Sequence, residues 1–271
     1  MPQRVDNPIG IFSWFGYPVP PTDRLRLIRD AGFQSVAVWW GIENSYIKST
    51  LSDMVRDLGL VLDNVHAPFD NCNDFWSDSA EARENIVSRH LRWIEECARY
   101  SIPKMVIHLA RGLRREPPTP DGLKCLERIV QAAASAGIVI VAENTRSVDY
   151  LDVAFAEIQS PNFRFCYDSS HDWIYSPEKT LLLKNYGDRL AVTHFSDNGG
   201  KIDNHWLPGD GVVDWDSVAE AFPKATYNGS FMLEVVPSRQ QKRRWHDAEA
   251  FLAEAYKRAA WLAGLFGGRL V

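Results

Sequence analysis

The chain has 271 residues, 45 % hydrophobic and 24 % charged, an ordinary globular balance that suits either two small domains or one α/β barrel. A formal net charge of −5 gives no general attraction to polyanions, so a nucleic-acid partner is disfavoured, and no apolar run reaches the roughly 18 residues of a membrane span. Four cysteines (Cys72, Cys97, Cys125, Cys166) are scattered without a CxxC, and the opening MPQRVDNPIGIFSWF has no long apolar stretch of a signal peptide; both features predict a reduced, cytoplasmic protein.

Short apolar runs alternate with helix-period stretches along the whole chain. Gly10–Phe15 is a candidate strand, and Thr22–Ala31 a helix capped by Thr22 or Asp23 and ended by Gly32. Gln34–Trp40, a helix over Ser45–Leu58, and the strand Leu60–His66 follow. The polar segment Asp70–Ser77 reads as a loop. Asp78 with Glu81 resembles a capping box for a long helix to Tyr100, whose apolar face includes His90, read as a core histidine.

Lys104–Leu109, Ile138–Glu143, Phe163–Asp168, Arg189–Phe195 and Ser230–Val235 are the later strands. Between and after them come helices over Pro120–Ala136, Val148–Ile158, Ser176–Tyr186 (with Pro177 in its first turn), Asp214–Ala221 and Asp247–Leu265. The basic run Arg239–Arg244 reads as a solvated loop, with an anion-binding role as the alternative. Eight strands alternating with eight helices demand a parallel sheet with right-handed crossovers, and the repeat fits a closed (β/α)8 TIM barrel forming a single domain over 1–271. No GxGxxG follows the first strand, which argues against a dinucleotide fold.

In such a barrel the C-terminal strand ends share one rim. Read in order, those ends are His66, His108, Glu143, Asp168, His194 and Glu234, with His171, Asp203 and His205 just beyond. Five of the seven histidines therefore share the rim, while His90 and His246 fall in or beside helices. One strand-end histidine is ordinary; a carboxylate such as Glu143 behind IVIVA is costly to bury unpaired, so the set as a whole points to a site. Imidazole with carboxylate suits Zn, Mn, Co or Fe rather than calcium or a thiolate-bound structural zinc. Cys166, two residues before Asp168, lies one layer deeper on the same face and reads as packing.

The segments HAPF (66–69), IHL (107–109), AEN (142–144), YDSSH (167–171), THFSDN (193–198), DNHWLPGDG (203–211) and LEV (233–235) resemble the xylose isomerase-like TIM barrel superfamily, as does the N-terminal GIFSWFGY. This superfamily contains sugar isomerases and epimerases as well as endonuclease IV. The isomerase branch implies one divalent metal held by Glu143, Asp168, His194 and Glu234, with Glu143 and Glu234 removing and returning a proton next to a carbonyl through a metal-stabilised enediolate. It also implies that His66 and His171 bind substrate hydroxyls, with Trp14, Trp39, Trp173 and Trp206 packing against the sugar.

Endonuclease IV similarity implies up to three metals: His66, His108 and Glu143 for one, the central four for the second, and His171, Asp203 and His205 for the third. Against that reading, His108 is followed by Leu-Ala-Arg-Gly rather than that family's Pro-Gly-Ser, and no basic stripe runs along the chain. The resemblance thus implies a metal-dependent isomerase or epimerase of a small carbohydrate. The alternatives are an endonuclease IV-like hydrolase, a keto-inositol dehydratase on the same scaffold, and a non-catalytic binding protein. The sequence leaves open the sugar, any phosphate on it, and whether the chain forms a homo-oligomer.

Overall fold

In the computed structural model, which describes residues 7–113, 116–146, 148–224, 226–244 and 247–267 except for the side chains of Glu43, Arg239 and Arg244, the apolar runs form eight strands. They are β1 (Ile9–Phe12), β2 (Ser35–Trp39), β3 (Val61–His66), β4 (Lys104–His108), β5 (Val139–Glu143), β6 (Phe163–Asp168), β7 (Leu190–His194) and β8 (Phe231–Leu233). The helices are α1 (Pro21–Asp30), α2 (Lys48–Asp57), α3 (Ala80–Arg99), α4 (Pro120–Ser135), α5 (Val148–Glu157), α6 (Ser169–Tyr175), α7 (Leu181–Tyr186), α8 (Trp215–Ala221), α9 (Arg239–Arg244) and α10 (Ala248–Leu265). His246 lies outside the described residues.

All neighbouring strands are parallel and follow chain order, with β8 beside β1. The ring closes where the Phe195 amide donates to the Met232 carbonyl at 2.9 Å and the Glu234 amide to the Phe195 carbonyl at 3.1 Å. This is a (β/α)8 barrel.

Side chains that alternate inward along the strands form layers across its interior. Val106, Val141, Cys166 and Val192 make a dry middle layer; Cys166 packs in it below His194, and its Sγ also lies within 4.8 Å of ligand atoms of Glu143 and His194. Beneath it the Lys104 ammonium donates to Asp63 at 3.0 Å, and Ser230 Oγ donates to the same carboxylate at 2.9 Å, so the charge at the floor is paired. Gly10 is required in β1, because a Cβ there would lie 2.3 Å from Ser35 Oγ and 2.7 Å from the Met232 methyl. The outward faces pack on the helices, as where Phe163 meets Phe155 of α5 with ring centroids 5.0 Å apart.

Several expectations are corrected. The helix expected over Ser176–Tyr186 is instead α6 and α7. Asp168 accepts from the His171 amide and starts α6 at once, whereas Ser176, ahead of Pro177, is extended at ψ 132° and breaks the helix. The cap of α3 is Ser79, whose Oγ accepts from the Ala82 amide, rather than Asp78. The Asp70–Ser77 loop contains a 3-10 turn at Cys72–Trp76, and a second such turn at Ile42–Asn44 delays α2 to Lys48. The basic run Arg239–Arg244 is the helix α9, not a loop. Its signal was readable: Ser238 Oγ accepts from the Gln241 amide while Gln241 Oε1 accepts from the Ser238 amide, a reciprocal capping box. No described helix is long and apolar enough to cross a membrane.

His90 is a core residue, as its helix face predicts. It is buried between Phe75 and Trp93, and its Nδ1–H donates to the Ile86 carbonyl at 2.8 Å. Burial pushes its pKa down from 6.5 to about 4, against the opposing pull of that hydrogen bond. Above pH 6.5 folded and unfolded chains both hold it neutral; between pH 6.5 and about 4 only the unfolded chain takes the proton, so stability is lost as the pH is lowered through that window. Between pH 7 and 5 the native chain should lose about 2 kcal/mol of unfolding free energy that a His90→Leu variant does not lose. Urea denaturation of both proteins at the two pH values measures this, and equal losses would mean that the folded state protonates His90.

Candidate metal centre and its cavity

Parallel pairing puts the chemistry-bearing strand ends side by side. His108 is in register with Glu143 and Asp168 with His194, while His66 pairs with Trp39 on one side and Val106 on the other. Glu234 lies one residue past β8, which is shorter than the sequence suggests, and its side chain enters the same space. Ligand atoms of Glu143, Asp168, His194 and Glu234 all fall within 4.8 Å of one another, as do those of His66, His108 and Glu143. His171 bridges outward, with Nδ1 3.2 Å from Glu143 Oε1 and Nε2 3.0 Å from Asp203 Oδ2; His205 Nε2 is also 3.0 Å from Asp203 Oδ2. All nine rim residues named from the sequence therefore converge.

The donor atoms face one another in a way that calls for positive charge between them. His66 Nδ1 must carry its proton, because it donates to the Ala67 carbonyl at 2.9 Å; Nε2 then meets Glu143 Oε2 at 3.1 Å with a proton or a cation between them. The same holds for His205, whose Nδ1–H donates to the Glu234 carbonyl at 3.1 Å while Nε2 faces Asp203. Both ring nitrogens of His194 and Asp168 Oδ2 are buried without a hydrogen-bond partner, although His194 Nδ1 lies 2.9 Å from Glu234 Oε2 and 3.4 Å from Glu143 Oε2. Unpartnered lone pairs converging in a dry site fit a divalent cation.

The titration behaviour of the cluster agrees. Burial works against charge on Glu143, yet the imidazoles of His194 and His108 hold its pKa well below 4.5. Burial also opposes charge on Glu234, but His194 and His205 bring it down to about 2. Asp168 moves the other way: burial, resisted by His171 and reinforced by Asp203, Glu143 and Glu234, lifts it to about 7. Burial disfavours the charged imidazoles, but the surrounding anions dominate and raise His194 well above 6.5 and His205 to about 10. Without a metal, protons supply the positive charge; a bound cation displaces them.

The loop after β7 is organised on Asp197, which is fully buried. Its two oxygens accept from the amides of Asn198 (2.8 Å), Gly209 (2.9 Å) and Val213 (3.0 Å) and from Trp215 Nε1 (3.1 Å). Gly211 must be glycine here, since a Cβ would lie 2.2 Å from the Asn198 carbonyl oxygen. The loop thereby presents Asp203 and His205, the latter in the left-handed region at φ 52°, with its carbonyl accepting from the Val236 amide at 2.7 Å. Ser170 Oγ donates to Asp203 at 2.7 Å and fixes the carboxylate.

A cavity of ≈ 630 Å³ opens over the centre, within the size range of small-molecule sites. Trp14 and Trp39 line it, as expected, but Trp173 packs against the core and Trp206 covers Gly199 and pairs through its backbone with Asp197; neither lines the cavity. Phe12 and Phe69 take their place, Phe69 stacked on the His108 ring at 4.3 Å. Sequence reading also missed Tyr175, Arg111 and Arg146. The last two were findable, because each lies three residues beyond a strand-end ligand, His108 and Glu143. Neither Lys242 nor Arg243 lines the cavity, and the Lys242 ammonium donates to the Gly16 carbonyl.

Residues 25–255 match the profile of the xylose isomerase-like TIM barrel family, so the chain belongs to that family. Within reach by sequence is the uncharacterised protein y4fM of Sinorhizobium fredii, 29 % identical over 289 residues and covering 88 % of this chain and 90 % of that protein. Among solved structures, D-psicose 3-epimerase of Clostridium cellulolyticum H10 superposes with a TM-score of 0.77 at 14 % identity, over 96 % of this chain and 99 % of that one. D-allulose 3-epimerase of Methylomonas sp. gives 0.78 at 16 % (95 % and 98 %), and an L-ribulose 3-epimerase 0.76 at 17 % (96 % and 95 %). At these identities the likeness is one of fold.

Two outcomes are expected. Saturating Mn²⁺, Co²⁺ or Zn²⁺ added to chelator-treated protein should raise its melting temperature by roughly 5–10 °C, the effect of about 2.7 kcal/mol of linked binding on a domain of this size. The rise should shrink as the pH is lowered, because protons on His194 and Asp168 compete; a thermal melt unmoved by any divalent ion would contradict the site. Asp197→Ala leaves four donors, three of them buried, without their acceptor and should cost on the order of 4 kcal/mol in urea denaturation. A loss below about 1 kcal/mol would show that the loop holds itself by other contacts.

Proposed function

We propose that the chain is a divalent-metal-dependent isomerase or epimerase of a sugar or sugar derivative. The carrying observation is the convergence of Glu143, Asp168, His194 and Glu234 on one point below the cavity, with both His194 nitrogens and Asp168 Oδ2 lacking hydrogen-bond partners. The aromatic wall of Phe12, Trp14, Trp39 and Phe69 suits the C–H faces of a sugar, and the neighbouring folds named above are ketose 3-epimerases. A divalent ion held there supplies Lewis acidity that stabilises negative charge developing next to a substrate carbonyl.

The protein's own groups divide the remaining work. Glu234 is the more accessible carboxylate, at 21 % side-chain exposure against 2 % for Glu143, and it faces the cavity as an anion, so it is placed to exchange a proton with substrate. Glu143 faces Nε2 of His66 at 3.1 Å and of His108 at 3.0 Å and lies against His171 and His194, which keeps it anionic as the second proton-transfer group and as a ligand. His171 and His66 line the cavity with both ring nitrogens engaged, His66 by the Ala67 carbonyl and Glu143 and His171 by Glu143 and Asp203, so each would meet a substrate hydroxyl by exchanging a carboxylate contact.

One geometric feature favours a second reading, a multi-metal phosphodiester hydrolase of the endonuclease IV type. His66, His108 and Glu143 form one further donor cluster, and His171, Asp203 and His205 another. Metal content decides between the readings: near one ion per chain supports the isomerase, near three the hydrolase. In the isomerase, Glu143→Gln and Glu234→Gln should each reduce ²H₂O exchange of a ketose α-proton by about 10²-fold or more, in line with general acid–base contributions. Near-native exchange in both variants would remove the mechanism.

A further inference from the structure

We infer that the substrate carries an anionic group, a carboxylate or a phosphate, at the end remote from the metal centre, and that Arg111 and Arg146 are the residues that read it. This rests on the isomerase reading and names its substrate class. Two guanidinium groups line the cavity, both on the same side of it by topology. β4 and β5 are neighbours in register at His108 and Glu143, and each arginine follows its strand end by three residues. The two loops are also tied together one residue earlier in each, where Thr145 Oγ1 donates to the Ala110 carbonyl at 2.9 Å. Arg111 is fixed further by Asn73, which accepts from its amide at 2.8 Å and donates to its carbonyl at 3.0 Å.

Each guanidinium is held over an aromatic ring by a cation–π contact, which engages no carboxylate. Arg111 lies over the Phe69 ring at 5.3 Å, and Arg146 over the Tyr175 ring at 4.5 Å with one N–H on the Tyr175 hydroxyl at 3.3 Å. Arg146 has no carboxylate partner among the described residues. Arg111 has only a 3.4 Å contact with Asp70, which is 74 % exposed and so a weak, screened partner. Planar donor forks with spare N–H groups match a carboxylate or phosphate bidentately and have little to gain from a neutral hydroxymethyl end. The carboxylates Glu143, Asp203 and Glu234 line the same cavity, with Glu143 at the β5 strand end three residues before Arg146, so an anionic substrate is oriented by charge, with its carbonyl end toward the strand ends.

The experiment uses the metal-loaded full chain and ketoses in three matched forms: neutral, phosphorylated at the terminal carbon, and oxidised there to the carboxylate. α-Proton exchange with ²H₂O gives kcat/KM for each. One anionic form should exceed the neutral form by about tenfold or more, and which one does so separates phosphate from carboxylate. In Arg111→Ala and Arg146→Ala that preference should fall by about tenfold each, with metal content and melting temperature as checks on folding, and Arg146→Lys should restore part of it.

Exchange that favours the neutral ketose, or a preference unchanged in both variants, overturns the inference while leaving the isomerase reading intact. If no form exchanges, the isomerase reading falls instead. The inference is then read by equilibrium binding of a phosphorylated and a carboxylated sugar alcohol. Arginine-dependent binding of either upholds it, and binding equal to that of the neutral alcohol overturns it.

Discussion

Carboxylates and imidazoles crowd the C-terminal mouth of this barrel, and they can share that space only with positive charge interleaved among them. Glu143 alone has nitrogens of His66, His108, His171 and His194 within 3.4 Å. Much of the surrounding structure serves this packing of charge. The dry layer of Val106, Val141, Cys166 and Val192 below it keeps water from screening the cluster from beneath. Asn144 clamps the Asp168 backbone from both sides, donating to its carbonyl at 2.8 Å and accepting from its amide at 2.7 Å. Asp168 Oδ1 is occupied by the His171 amide, which leaves Oδ2 free to face the cation site. A ligand whose second oxygen and backbone are already engaged has one orientation to offer.

The long loop after β7 solves a different problem. It must carry Asp203 and His205 back over the mouth without a helix or strand to support them. A single buried carboxylate, Asp197, does this by gathering three loop amides and the Trp215 indole, so the loop behaves as a folded unit. The same loop also meets β8, through the Val236 amide on the His205 carbonyl. The closing seam of the barrel and the outer donor cluster are therefore mechanically coupled. This explains why a left-handed, non-glycine residue is tolerated at His205: its backbone and its ring are both held by the residues leaving β8.

At the mouth the arginines lie over aromatic rings, Arg111 over Phe69 and Arg146 over Tyr175, and the carboxylates Glu143, Asp203 and Glu234 line the same cavity. A shared fold with ketose 3-epimerases at 14–17 % identity supplies the frame.

Alternation of apolar runs with helix-period stretches determined the barrel, because parallel strands need crossovers and eight repeats close. Period-two alternation then placed His66, His108, Glu143, Asp168 and His194 at strand ends facing inward, a placement that needs only local geometry. Helix boundaries governed by one cap were less legible: Ser79 against Asp78 is a shift of one residue, and the break at Ser176 depends on Asp168 having already started a helix. Tertiary structure alone decided which aromatics line the cavity. An indole's direction follows from what packs around it, so Trp173 and Trp206 turned away while Phe12 and Phe69 turned in. It also decided that Arg111 and Arg146 stand together, since their separation of 35 residues in the chain is erased only by the β4–β5 register. Likewise, Asp203 and His205 were visible as donor types, but their meeting with His171 required the Asp197-centred loop fold. Periodicity fixes what a strand presents, whereas the meeting of loops depends on register and on buried hydrogen bonds between segments distant in the chain.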